Sequence, residues 1–352
     1  MRNVAELRQA IAEEMDRPFY TRGHNPTVNV LRRKLAALEG AEDALLFASG
    51  SAAMAAAVLA FVGAGDHVLC VEKPYGWTRA LVRETLPRFG VDAEFIDLRD
   101  ASRLEPALRP ETRMIVLESP NSWTFEQQDL GAIATLARRR GILTVCDNSY
   151  ATPLLQRPLA HGIDLVVHTL TKYPGGHSDV LAGAVCGRRE LMRRIFRGPY
   201  MTFGAVLSPH DAYLVLRGLR TLPLRLERSA ASAGRVAEFL RGHPRVRRVW
   251  RAGEGEEQGP PGQLAGGNGL VTLALAGGVE AAERFCNALK RFLLTCSWGG
   301  HESLAWPLCA LYPRGYRGPL PPGLSLDMVR LSIGLEPPEL LIADLEQALA
   351  RV

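Results

Sequence analysis

The stretch Ile163-Asp164-Leu165-Val166-Val167-His168-Thr169-Leu170-Thr171-Lys172-Tyr173-Pro174-Gly175-Gly176-His177-Ser178-Asp179 sets the architecture of the whole chain. Its first half is a short apolar run of the kind that forms a strand buried on both faces. Its second half turns away through proline and glycine. Lys172 stands at the junction. It is one of only four lysines, with Lys34, Lys73 and Lys290. The other three read plainly: Lys34 among polar helix residues, Lys73 in a loop before Pro74, and Lys290 near the end of an amphipathic helix. An amine carried out of a buried strand into a cleft loses solvation. Its charged form is then disfavoured, and it becomes nucleophilic near neutral pH. A lysine that forms an imine with a carbonyl compound has this requirement. A strand-end lysine can equally point into solvent, so the choice rests on its surroundings.

Working outward, short β-rich runs alternate with helical ones. Residues 4–15 have helical spacing. A polar segment, Arg17 to Thr27, reads as an extended arm, and Val28 to Leu38 as a helix. Ala44 to Phe47, His67 to Val71, Ala93 to Ile96, Met114 to Leu117, Leu143 to Cys146 and Leu165 to Val167 read as strands. Ala184 to Cys186 could add an antiparallel member. Helices are expected from Ala52, over Trp77 to Leu86, and over Leu130 to Arg140. The pattern predicts an α/β fold: a mainly parallel, doubly wound sheet with a smaller C-terminal α+β domain. The expected division is an arm at 1–27, a large domain at 28–220 and a small domain at 221–352. Pro209 to Arg241 is a helix-rich bridge. Val246 to Trp250, Leu270 to Leu275 and Met328 to Ile333 are the small domain's strands. Segments 253–268 and 313–324 are Gly/Pro-rich loops.

The 352 residues suit about two domains. A net charge of +5 is small for this length. The basic stretch Arg241 to Arg251 carries no accompanying nucleic-acid motif, so no nucleic-acid partner is expected. The six cysteines are scattered, mostly in apolar runs, without the Cys-x-x-Cys or Cys/His spacing of a metal site. Free thiols of this kind point to a reducing compartment. The N-terminus lacks the apolar core of a signal peptide. The longest apolar run, Ala52 to Val62, is too short to span a bilayer. A cytoplasmic protein with no membrane partner is the expectation.

In a doubly wound sheet, ligand groups lie beyond the carboxyl ends of the strands. Asp147 ends one predicted strand, where a carboxylate can hold a protonated ring nitrogen or cap a turn with Asn148. Ser49-Gly50-Ser51 joins a strand to a helix start, which suits a phosphate or is a plain N-cap at Ser49. Thr169 and Thr171 flank Lys172 at alternate positions, as hydroxyl donors or as β-formers. An amine, an acid and a phosphate cradle on one edge are what pyridoxal phosphate requires.

The run Thr169-Leu170-Thr171-Lys172-Tyr173 with Gly176-His177-Ser178-Asp179 resembles the cofactor-lysine signature of the Cys/Met-metabolism family of pyridoxal-phosphate enzymes. The resemblance continues in order at Tyr20 to Thr27, Ser49 to Ala53, Pro74-Tyr75-Gly76 and Glu118-Ser119-Pro120. It returns at Asp147 to Pro153, Leu216 to Leu222, Ser297 to Leu304 and Val329 to Gly334. It implies the aspartate-aminotransferase-like fold and pyridoxal 5'-phosphate as cofactor. Lys172 would be the cofactor-bonding lysine and Asp147 the partner of the ring nitrogen. Gly50, Ser51, Thr169 and Thr171 would hold the phosphate, and Tyr75 would stack on the ring. Tyr20 and Arg22 would reach the phosphate of a neighbouring subunit. That implies a homo-oligomer with shared sites, expected as a tetramer built from dimers. Arg330 would grip the substrate carboxylate, and Ser297 and Trp298 would sit beside lysine and substrate.

Two stretches resemble the bacterial cystathionine β-lyase branch: Ser297-Trp298-Gly299-Gly300 and Glu118 to Glu126. Cys296 stands where several γ-acting relatives have glutamate, and Trp77 where methionine γ-lyases have cysteine. The resemblance therefore implies a carbon–sulfur β-lyase of transsulfuration and methionine biosynthesis, acting on cystathionine or another sulfur-containing amino acid. A γ-eliminating or γ-replacing relative is the alternative. The chain departs from the family in its short arm before Tyr20 and in the loop Tyr312 to Gly323.

Overall fold

Apolar runs of about five residues, too short for stable helices, form the strands of the larger sheet. In the computed structural model, which describes residues 1–255 and 259–352, seven of them pair: β1 (Asp43–Phe47), β2 (His67–Val71), β3 (Asp92–Ile96), β4 (Thr112–Glu118), β5 (Leu143–Asp147), β6 (Leu165–Thr169) and β7 (Gly183–Gly187). Their spatial order is β1-β7-β6-β5-β4-β2-β3. The pairs β2–β3, β2–β4, β4–β5 and β5–β6 are parallel, and β7 runs antiparallel between β6 and β1. Strands β2, β6 and β7 are almost wholly buried. Such strands need cover on both faces, and helices supply it. The expected mainly parallel doubly wound sheet is the observed one, and the antiparallel member at 184–186 is present.

Register brings the chemistry to one edge. Glu118 pairs with Asp147, Asp147 with Val167, and Thr169 with Gly183. The strand ends at 118, 147 and 169 therefore lie side by side.

A second, five-stranded sheet contains β8 (Val246–Trp250), β9 (Leu270–Leu275), β10 (Leu293–Leu294), β11 (Leu304–Pro307) and β12 (Met328–Ser332), in the order β10-β11-β12-β9-β8. Two strands escaped the sequence. Leu293–Leu294 is only two exposed residues long, and Leu304–Pro307 ends on proline. The helix-rich bridge is two helices, Pro209–Leu219 and Leu222–Arg241. The second packs on β8 and β9. Part of the expected loop 253–268, residues 256–258, lies outside the described residues. Among the described residues, no helix is long and apolar enough to cross a membrane.

Two expectations need correcting. Arg17 to Thr27 is not an extended arm. It closes in turns (His24 N–H to Tyr20 O, 3.1 Å), and Asn25 caps a helix that already includes Thr27. Just before this segment, the Met15 carbonyl is anchored by buried Arg32, which donates to it at 2.6 Å and pairs with Asp43. The predicted helix Trp77 to Leu86 is regular only over Gly76–Ala80. It continues as a π-helical turn, Leu81–Thr85, and a 3-10 turn, Leu86–Phe89. Pro87 has no N–H to give the preceding turn, so helical bonding is not carried through it and a separate 3-10 turn begins.

Helix 209–219 meets the lysine turn through glycine. A Cβ on Gly218 would stand 2.2 Å from the Gly175 carbonyl oxygen and 2.3 Å from that of Pro174. Both obstacles are backbone. Gly218→Ala is expected to lower unfolding stability by about 1–3 kcal/mol. A denaturant midpoint equal to that of the parent would contradict this close approach.

Candidate active site

Lys172 leaves the end of β6 and points into a cleft at the sheet edge, lined by Ser49, Gly50, Ser51, Tyr75, Asp147 and Trp298 among others. Its Nζ donates to Ser297 Oγ at 2.9 Å and lies 4.6 Å from the Trp298 ring centroid. Burial, reinforced by the positive charge of Arg330, lowers the amine to about 8. The expected solvent-shy amine is present. Ser297 and Trp298 stand beside it.

Asp147 ends β5. Its Oδ1 accepts the Ser149 N–H at 2.9 Å. Burial raises its pKa, while hydrogen bonds from Ser149 and the charge of His168 oppose the rise. Ser49 caps helix Gly50–Leu59, its Oγ accepting the Ala52 N–H at 3.1 Å. The first N–H groups of a helix have no partner inside it, and Gly50 and Ser51 line the cleft. Glycine is required at position 50, since a Cβ there would lie 2.6 Å from Thr169 Cβ. Thr169 and Thr171 both line the cleft. The Thr169 N–H donates to Ser149 Oγ at 2.7 Å. The Thr171 hydroxyl is bonded both ways to the Ala182 backbone, donating at 3.3 Å and accepting at 3.1 Å. Tyr75 borders the cleft at 39% exposure.

Glu118 was missed as a site residue. It is 7% exposed and lines the same cleft. Its carboxylate accepts the Tyr75 N–H and, at 3.2 Å, the Ser122 N–H. Burial first, then the neighbouring Asp147 charge, pushes it up to about 8. The signal was available, because Glu118 ends an apolar strand just as Asp147 does.

Arg330, on β12, is 2% exposed. Its Nη1 donates to Ser122 O and its Nη2 to Cys296 O, each at 3.0 Å. Burial lowers it to about 10, so it stays charged at neutral pH. Tyr20 and Arg22 are exposed, with the guanidinium carbon 5.3 Å from the Tyr20 ring. They are not among the cleft-lining residues of their own chain. Lys73 is less ordinary than its sequence context. It pairs with Glu126 and donates to the Pro322 carbonyl at 2.9 Å.

The residues fit a flat, phosphorylated pyridine aldehyde. The cleft offers an amine whose described hydrogen-bond partner is a neutral hydroxyl, a carboxylate on the adjacent strand end, and a helix start kept close to Thr169 by glycine.

The family described as Cys/Met metabolism PLP-dependent enzymes matches residues 2–350. The chain is 40% identical over 343 residues to L-methionine gamma-lyase of Pseudomonas putida, covering 94% of this chain and 85% of the relative. It is 36% identical over 359 residues to cystathionine beta-lyase MetC of Bacillus subtilis (strain 168), covering 100% and 91%. It is 37% identical over 338 residues to cystathionine gamma-lyase of Mus musculus, covering 94% and 84%.

Proposed function

The chain belongs to the Cys/Met-metabolism family of pyridoxal-phosphate-dependent enzymes, and from that premise we propose that it is a carbon–sulfur β-lyase acting on cystathionine or a related cysteine thioether. The observation that carries the reading is Lys172: an amine lowered to about 8 in one cleft with Asp147, and near Arg330, whose charge it feels.

Pyridoxal phosphate, when bound, supplies an electron sink for charge developing at the substrate α-carbon. The chain's residues do the rest. Asp147 holds the proton on the ring nitrogen. Near that cation its carboxylate stays ionised although burial alone raises it. The Gly50 and Ser51 N–H groups and the Thr169 hydroxyl would hold the phosphate, joined by the Thr171 hydroxyl once its hydrogen turns from the Ala182 carbonyl, and Tyr75 would pack on the ring. Arg330 binds the α-carboxylate and fixes the α-carbon near Lys172. Lys172 Nζ takes the α-proton. The departing thiolate receives a proton from Lys172 or from Tyr75, whose hydroxyl burial keeps protonated. The thiol leaves, and the three-carbon enamine that remains takes up one water on release, giving pyruvate and ammonia.

Three features support β- over γ-chemistry. Cys296 precedes Ser297 and has no carboxylate to hold a distal amine, and its carbonyl is engaged by Arg330. Trp77 lies on the same surface as Tyr75, and Trp298 closes the lysine side. The 40% identity to L-methionine gamma-lyases favours a second reading, γ-elimination. Incubation with cystathionine, cysteine, methionine and O-acetylhomoserine separates the two. Pyruvate alone is the expected keto acid, and dominant 2-oxobutyrate would replace the first reading with the second.

The same proposal makes the enzyme a homo-oligomer, a tetramer built from two dimers, with Tyr20 and Arg22 serving a neighbouring subunit's phosphate. Exposed apolar side chains at Tyr20, Trp77, Leu181 and Phe203 support it. It also divides the chain into an arm (1–27), a cofactor-carrying unit (28–220) and a smaller unit (221–352). The start of the helix at Leu222 supports that boundary.

A further inference from the structure

Arg330 is buried, and among the described residues no carboxylate lies in direct ion-pair contact with it, although the Glu118 carboxyl is near enough to influence it. An uncompensated buried guanidinium is strongly disfavoured. Three indoles surround it instead. Its Cζ lies 4.7 Å from the Trp298 centroid, 4.7 Å from Trp306 and 5.2 Å from Trp123. All three are within cation–π range. We propose that Trp123 and Trp306, with Trp298, form an indole cage that takes the place of a counterion for Arg330 and thereby sets how tightly and how selectively the site holds a carboxylate.

Each wall of the cage has its own support. Trp306 on β11 is the direct cross-strand partner of Arg330, so both side chains leave the same face of the sheet. Trp123 packs against Trp306 in a tilted arrangement, 5.3 Å between centroids and 40° between planes. The Trp123 loop is fixed from within by Asn121, whose Oδ1 accepts the N–H groups of Trp123, Thr124 and Phe125 at 3.0, 2.8 and 3.1 Å. The same loop supplies the Ser122 carbonyl to Arg330 Nη1. Trp298 is shared with the Lys172 amine.

The chemical consequence is selectivity. A protein carboxylate in the cage would satisfy Arg330 and have to be displaced by every incoming substrate. Ring faces attract the cation without occupying its N–H edges. Ser122 O and Cys296 O each take one of the five N–H groups a guanidinium offers, which leaves others for a ligand. The site therefore stays poised for a planar, bidentate anion and discriminates against the same amine lacking one. Trp123 and Trp306 are positioning residues, acting through Arg330.

The inference rests on the reading of Arg330 as the carboxylate-binding residue, and the test separates the two. Two probes are titrated into the cofactor-loaded enzyme and followed by the visible absorbance change: glycine, and methylamine, which is the same amine without the carboxylate. In Trp306→Leu and in Trp123→Leu the dissociation constant for glycine should rise about tenfold, the order expected for losing one desolvated cation–π contact. That for methylamine should not change. Trp306→Phe, which keeps a ring face, should fall between. With cystathionine the leucine variants should raise KM more than they lower kcat. Should a leucine variant fail to fold, fluorinated tryptophan incorporated throughout keeps the shape and withdraws charge from the ring faces. Glycine binding should then weaken and methylamine binding hold. Arg330→Met is the control on the underlying reading. If it loses glycine selectivity while the leucine variants and the fluorinated protein bind glycine like the parent, the cage is overturned and the role of Arg330 stands. If Arg330→Met itself binds glycine normally, the role of Arg330 falls. Parallel weakening of both probes in the leucine variants would mark the indoles as mere packing and overturn the proposal.

Discussion

Lys172→Ala is expected to leave a folded protein that forms no covalent link to pyridoxal phosphate and turns over no thioether. Two losses combine in this variant. The ε-nitrogen that bonds the cofactor is gone, and so is the base that takes the α-proton. Loss of a positioned acid–base group alone costs about 100- to 10,000-fold, and turnover should fall by at least that factor. Borohydride treatment followed by peptide mass mapping reads the first loss directly: the parent should carry a pyridoxyl tag on residue 172, and the variant none. A tag on another residue, or retained turnover, would refute the assignment. The parent also has a pH signature. Its amine, lowered to about 8, is protonated below that value and free above it. The rate of cofactor uptake by the cofactor-free chain should therefore rise nearly tenfold per pH unit up to about 8 and then level. A rise continuing to pH 10 would mean an unperturbed lysine.

Asp147→Asn is the second large effect. An amide matches the carboxylate in shape, and its oxygen can still accept the Ser149 N–H at 2.9 Å. It carries no charge to hold a proton on a ring nitrogen. Electrostatic stabilisation aimed at developing charge is worth about 100- to 1,000-fold when one group is removed, so kcat should fall by that order while the protein still binds cofactor. The same cleft holds Glu118, whose carboxyl is raised to about 8 by burial and by Asp147 itself. Removing the Asp147 charge removes part of that push, and Glu118 should titrate at lower pH in the variant. An enzyme with parental kcat would place the proton-holding group elsewhere.

The large sheet was legible because its strands are unbroken apolar runs punctuated by proline and glycine, as at Leu165 to Gly176. Lys172 was legible because buried strands seldom end in an amine. What escaped depends on contacts distant in sequence. The Arg17 to Thr27 segment looks free until Arg32 is seen to hold Met15. The strand Leu304–Pro307 has too few residues to declare itself. Glu118 could have been found by the rule that found Asp147, but as a site residue it was overshadowed by the motif around it. The indoles at 123, 298 and 306 meet only because a loop after β4, the segment between β10 and β11, and β11 itself converge on Arg330 of β12. No local pattern reports such a meeting.

The place of β7 has a consequence for how the molecule is made. β1, the first strand to leave the ribosome, has its ladder partner in β7, so Asp43 must wait for Gly187. Until then a nascent polypeptide presents an unpaired apolar edge, and joining such distant segments is entropically slow. Chains halted before Gly183 should clump rather than mature, and chaperones that shield exposed strands should raise the yield of this enzyme more than its final stability would imply.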